Sequence, residues 1–107
     1  MKIYDFKKMV GGWFIGNFKP SSLRTKKFEV SYKIHKKKEK WDRHYHKKAT
    51  EINLVIKGKM KIRGKIIKKN QIFVLRPKEV ADPVFYQDTH IVCIKAPSVI
   101  GDKYIVK

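Results

Sequence analysis

The sequence predicts an all-β barrel or sandwich, on three observations: short apolar runs with strand alternation, turn residues between them, and no sustained helical period. The clearest run is Phe28 to His35, where apolar and polar side chains alternate without a break, as in a strand with one buried face. A charged loop, Lys36 to Lys40, separates it from a second candidate strand at Trp41 to His46. Glu51 to Lys57 follows with two unlike faces, one of Ile52, Leu54 and Ile56 and one of Glu51, Asn53 and Val55. Gly58 predicts a hairpin into the alternating run Lys59 to Arg63, which Gly64 closes. Ile66-Ile67, Ile72 to Leu75, Val84 to Tyr86 and Thr89 to Lys95 continue the series, broken by Asn70, Pro77, Asp82-Pro83 and Gln87-Asp88. Glycines 11, 12 and 16, with Pro20 and Pro97, punctuate the flanks, which are read as arms that add edge strands.

A chain of 107 residues corresponds to one domain over residues 1–107, with a core at about 28–95. With 42% hydrophobic residues it is rich enough in apolar side chains to fold despite 34% charged residues. No apolar run is long enough to span a bilayer, and Met1 to Phe6 lacks a signal-peptide core, so the expectation is a cytoplasmic protein with no membrane partner. Cys93, in the apolar run Ile91 to Ile94, is expected to be an inert core thiol.

A formal net charge of +18 attracts polyanions and small anionic metabolites alike. Only Arg24, Arg43, Arg63 and Arg76 are arginines, whereas phosphate-forking and base-reading surfaces lean on arginine. Nucleic acid therefore stays open as a partner but is not favoured, and a lysine-rich proteome would produce the same excess. The stripe Lys57, Lys59, Lys61, Arg63 and Lys65 has no interleaved aromatics to stack bases and is read as a solvated outer face.

His44 and His46 stand two apart on a candidate strand, so their imidazoles leave one face about 7 Å apart along the backbone. Glu51 follows after four residues, enough for a short antiparallel return that brings a carboxylate opposite them. Two nitrogens and one oxygen suit a divalent metal ion such as iron, manganese, zinc or nickel, and the donor set alone does not choose among them. The alternative is a pair of surface histidines among Arg43, Lys47 and Lys48.

His44-x-His46, four residues, Glu51, six residues and Gly58 together resemble the first motif of the cupins. The resemblance spans about Phe28 to Lys95 and implies a double-stranded β-helix, the jelly-roll barrel, usually dimeric. Its second motif is poorly matched: Pro77 fits, but Glu79, Asp82 and Tyr86 stand where glycine, histidine and asparagine are usual, and Lys38 replaces the first motif's opening glycine. The implied metal ligands are His44, His46 and Glu51, with Asp82 as a fourth or with water or substrate in its place. Asn53, Tyr86, Tyr32 and His90 are the candidate pocket residues, while lone histidines such as His35 are first read as packed or solvated.

Three functions stay open. The first is a metal-dependent enzyme, such as an isomerase, dioxygenase or decarboxylase, acting on a small anionic molecule: a keto acid, sugar acid or sugar phosphate. The second is a non-catalytic module that binds a sugar or nucleotide sugar, with structural metal or none, and the third is a polyanion-binding basic protein. The apolar face of Ile52, Leu54 and Ile56 is expected to be covered by a partner subunit, giving a homodimer, or by the N-terminal arm.

Overall fold

The structure is a computed structural model that describes residues 1–107. Ten strands follow in chain order: β1 (Trp13–Ile15), β2 (Glu29–His35), β3 (His44–Tyr45), β4 (Thr50–Lys57), β5 (Lys59–Ile62), β6 (Lys65–Lys68), β7 (Ile72–Leu75), β8 (Val84–Phe85), β9 (Thr89–Ala96) and β10 (Tyr104–Ile105). They form a five-stranded sheet β1-β2-β9-β4-β7, a three-stranded sheet β6-β5-β8 and the pair β10-β3. No helix is long and apolar enough to cross a membrane.

The central register is long and antiparallel. Along β2 and β9, Glu29 faces Lys95, Ser31 faces Cys93 and Lys33 faces Ile91. Across β9 and β4, Lys95 faces Glu51, Cys93 faces Asn53 and Ile91 faces Val55. Strand alternation then separates two populations of side chains. Glu51, Asn53 and Val55 turn inward beside Ser31, Lys33, Ile91 and Cys93, while Ile52, Leu54, Val92 and Ile94 turn outward. The inward apolar members join Met60, Ile62, Leu75, Ala81 and Phe85 in one core between the sheets.

The arms behave as the glycine and proline pattern suggests. β1 extends the five-stranded sheet beyond β2, and β10 pairs with β3. β3 is shorter than the expected strand at 41–46, because its neighbours, β10 and an isolated bridge to Ala81, reach only this stretch. At the N-terminus Asp5 caps a 3-10 turn at Phe6–Lys8 by accepting from the Lys7 backbone N–H at 2.9 Å. The turn sets Phe6 against Phe14 and Tyr32, each with ring centroids 6.0 Å away.

The C-terminal arm ties down the segment after His46. The Asp102 carboxylate, only 6% exposed, accepts from the backbone N–H groups of Lys47, Lys48 and Ala49 at 2.9 to 3.3 Å. Burial alone would raise its pKa, but these hydrogen bonds outweigh it and hold the value below the ordinary 3.8. Gly58 shows a different constraint: at φ +107° its Cβ would lie 2.5 Å from the Asp88 carbonyl oxygen, so only glycine lets the β4–β5 turn approach the start of β9.

Two stability predictions follow from these contacts. Asp102→Ala strands three backbone donors and should cost about 3 kcal/mol in denaturant unfolding near neutral pH. Because the folded pKa is depressed, that difference should be complete above the unfolded value and vanish as pH falls through the lowered folded one. Gly58→Ala should destabilise by roughly 1–3 kcal/mol through overpacking, with further backbone strain, measured in the same way.

Candidate functional site

The inward faces of β2, β4 and β9 line a cavity of about 200 Å³ between the sheets. β2 contributes Ser31, Lys33 and His35, β4 Glu51 and Asn53, and β9 Ile91, Cys93 and Lys95. Trp13 of β1, Trp41 of the loop before β3, and Lys103 of the C-terminal arm complete its polar and aromatic border. The volume suits a small molecule better than a drug-sized ligand. An adjoining cavity of about 300 Å³ shares Trp13, Lys95 and Lys103 and adds Glu29, His46 and Asp102.

His44 is buried and faces the first cavity. Its Nδ1 lies 3.0 Å from the Asp42 carbonyl, which can only accept, so Nδ1 carries the proton and Nε2 keeps its lone pair. Burial first, and then the ammonium groups of Lys103 and Lys95, push its pKa below the usual histidine value against the pull of that carbonyl. His46, also buried, borders the second cavity and leaves Nε2 without a hydrogen-bond partner. Burial, with Lys95 next, pushes its pKa down to about 4. The two imidazoles are nearly perpendicular, with centroids 5.5 Å apart. Glu51 accepts from the Asn53 amide at 3.0 Å.

Asp82 lies elsewhere. Its carboxylate accepts from the Arg63 backbone N–H at 2.7 Å, and the residue beside His44 is Ala81, which exchanges two backbone hydrogen bonds with it at 2.7 and 3.1 Å. Ala81 and Pro83 line the cavity; one step of alternation turns Asp82 away from it. Among the other expected pocket residues, only Asn53 lines the cavity. Tyr32 and His90 share the outer face of the sheet, joined by a 2.6 Å contact between the Tyr32 hydroxyl and His90 Nδ1. Tyr86 is exposed beside Lys59.

Lys33, Lys95 and Lys103 are the residues that sequence reasoning missed. The Lys33 ammonium lies 4.9 Å from the Trp13 ring centroid and 5.6 Å from that of Trp41. Lys95 lies 4.9 Å from Trp13, and Lys103 4.8 Å from Trp41. All are within cation–π range, and none of the three forms an ion pair. Burial first, then Lys95, lowers the Lys33 pKa. Glu51 and Glu29 flank Lys95 across the sheet, so three ammonium groups face two carboxylates and the lining keeps a positive excess. The Cys93 thiol also lines the cavity; burial, reinforced by Glu51, raises its pKa well above the ordinary value and keeps it protonated.

One of three comparisons with known proteins places the fold. Neither a protein-family model nor a curated protein sequence matches the chain. Solved structures do. An uncharacterized conserved protein with a double-stranded beta-helix domain from Klebsiella pneumoniae has a TM-score of 0.71 at 17% identity, covering 98% of this chain and 91% of its own. A Streptomyces nucleoside dehydratase has a TM-score of 0.65 at 10% identity, covering 78% and 71%. The DMSP lyase DddQ from Ruegeria pomeroyi has a TM-score of 0.71 at 8% identity, covering 97% of this chain and 59% of that enzyme. The chain thus has the cupin-type double-stranded β-helix fold. These proteins are what it resembles in fold.

The first motif implies a divalent metal, and the side chains as they are arranged do not form a closed ligand set for one. No three imidazole, thiol or carboxylate groups converge closely enough to hold an ion. His44 and His46 lie with ring centroids 5.5 Å apart and Glu51 is the carboxylate that acts on both, but Ala81, not Asp82, lies beside His44, and Lys33, Lys95 and Lys103 share the cavity lining. Their charge opposes a second cation. Protein equilibrated with Zn²⁺, Mn²⁺ or Fe²⁺ and then desalted should retain well under one equivalent by elemental analysis, with no change in His44→Ala or Glu51→Ala.

Proposed function

We propose that this chain is a small-molecule cupin whose barrel cavity receives a ring-bearing organic anion, a sugar acid or sugar phosphate. One observation carries the reading: three lysine ammonium groups without ion-pair partners surround two tryptophan rings at the cavity border. In the free protein the ammonium groups rest against π faces. A carboxylate or phosphate gives them a stronger partner, while an indole face accepts the apolar side of a ring. Asn53 and Glu51 supply hydrogen-bonding groups for ring hydroxyls, and the neutral His44 presents a lone pair at Nε2. A resident divalent metal has no part in this reading.

The test is a titration of tryptophan fluorescence with glucuronate and with glucose 6-phosphate, using neutral glucose as the control. Saturable quenching by the two anions and not by glucose is expected. Lys33→Ala or Lys95→Ala should weaken it by about tenfold or more, which corresponds to about 1.4 kcal/mol per tenfold. Equal responses to glucose and to the anions would overturn the reading. Polyanion binding that persists in Lys33→Ala with a steep salt dependence would favour the surface lysines instead.

The outer face of the large sheet favours a second copy of this chain as partner. Its cross-strand rows are Val30-Ile94-Ile52-Val74 and Tyr32-Val92-Leu54-Ile72, and neither contains a charged residue. The N-terminal arm covers only the β1–β2 end through Phe6, leaving Ile52, Ile56, Ile72 and Val74 exposed. Two copies meeting there bury apolar surface without opposing lysines in those rows. Sedimentation should show a dimer for the wild type and a monomer for Ile52→Lys/Val74→Lys with an unchanged far-UV spectrum; a wild-type monomer at high concentration would refute it.

A further inference from the structure

His35 looks bland in the sequence, but the fold gives it a setting of its own. The end of β2 aims it inward, two residues after Lys33 on the same face, and it lines the cavity. Its ring stacks on Phe85 with centroids 4.5 Å apart and planes within 3°, and meets the edge of Trp41 at 5.6 Å. Nδ1 lies 2.7 Å from Glu39 Oε2. That carboxylate is itself fixed: the Trp41 indole N–H donates to Oε2 at 2.6 Å and the Lys36 backbone N–H to Oε1 at 3.3 Å. Burial would raise the Glu39 pKa, but the hydrogen bonds from Trp41, His35 and Lys36 lower it, so Glu39 stays ionised.

An ionised carboxylate can only accept, so the proton of the neutral imidazole is on Nδ1. Nε2 then holds the lone pair, and the ring's hydrogen bond to the protein is the one made at Nδ1. Phe85 and Glu39 together hold the plane and tautomer of the ring, which is the arrangement that makes an imidazole a proton acceptor. Lys33 and His35 both border Trp41, at 5.6 Å in each case, so a ligand lying against that indole is within reach of both.

We propose that His35, positioned by Glu39, is the general base of the cavity and takes a proton from the bound organic anion. This rests on the reading that the cavity binds such an anion. An O–H or C–H proton of the ligand passes to Nε2, and the electron pair of the broken bond stays on the ligand atom. The imidazolium keeps its Nδ1–H on the Glu39 carboxylate, which faces the new positive charge, while Lys33 faces the new negative one. No oxidant or co-reactant enters the step. Glu39 is a positioning residue; the group that meets the ligand is His35.

The dyad can be tested without knowing the natural substrate. In wild-type protein, ¹⁵N chemical shifts should report the Nδ1–H tautomer for His35, with a downfield Nδ1 proton that disappears in Glu39→Gln. Carbethoxylation by diethylpyrocarbonate, read by peptide mass spectrometry, should modify His35 faster than His46, whose Nε2 is buried, and Glu39→Gln should slow His35 severalfold while leaving His90 unchanged. An Nε2–H tautomer in the wild type, or a His35 rate indifferent to Glu39→Gln, overturns the dyad. Glucuronate should protect His35 in the wild type and fail to do so in Lys33→Ala. A reactive, Glu39-dependent His35 that glucuronate does not protect overturns instead the anion reading on which the proposal depends.

Discussion

The register of three strands decides what this molecule is. β2, β9 and β4 pair antiparallel over almost their full lengths, and every residue on them is assigned to the interior or the exterior by that pairing. The result is unusual in its polarity: the interior face carries Lys33, His35, Glu51, Asn53 and Lys95, while the exterior carries Val30, Ile52, Leu54, Val92 and Ile94. A one-residue slip would exchange the two sets, burying the isoleucines and emptying the cavity of its chemistry. The conventional core is confined to one part of the barrel, around Val55, Met60, Leu75 and Phe85, and the remaining interior is left to polar groups.

Those polar groups sit in a setting that strengthens charge. Apolar walls from Met60, Ile62 and Phe73 lower the local dielectric, so ammonium groups that water would screen repel each other and attract an anion more strongly. The same surroundings make His44 and His46 neutral. Lysines on the outside of the barrel set a long-range positive field, and the half-buried Lys33 and Lys95 with the exposed Lys103 carry the same charge to the cavity border. The motif associated with a metal site is therefore present in sequence, while Lys33, Lys95 and Lys103 give its surroundings a positive excess.

Aromatic side chains connect the two ends of the cavity. Trp13 meets Lys33 and Lys95; Trp41 meets Lys33, Lys103 and the His35 edge, and its indole N–H holds Glu39. The two tryptophans thus serve as cation partners, ring platforms and, for Trp41, an orienting donor. That combination explains why a half-buried tryptophan in a charged loop is tolerated: its apolar body covers the cavity border and its polar edge is satisfied.

The sequence by itself determined the strands, because alternation with period two and turn residues between runs are local properties that every buried sheet face imposes on its own segment. Phe28 to His35, Glu51 to Lys57 and Thr89 to Lys95 are legible in this way, and the double-stranded β-helix is what the resemblance of His44, His46, Glu51 and Gly58 to the first cupin motif implies. Asn53 shares the Glu51 face of β4 and was read as a pocket residue from that alternation, but alternation does not say which face of β2 is inside and so left Lys33 and His35 unplaced. Only tertiary structure decided that Asp82 turns away while Ala81 takes its place, since one residue of register across a bridge is invisible to a motif count. It also decided that Trp13 and Lys103, about ninety residues apart, close one cavity with Trp41, because arms dock by packing against surfaces that local sequence does not encode.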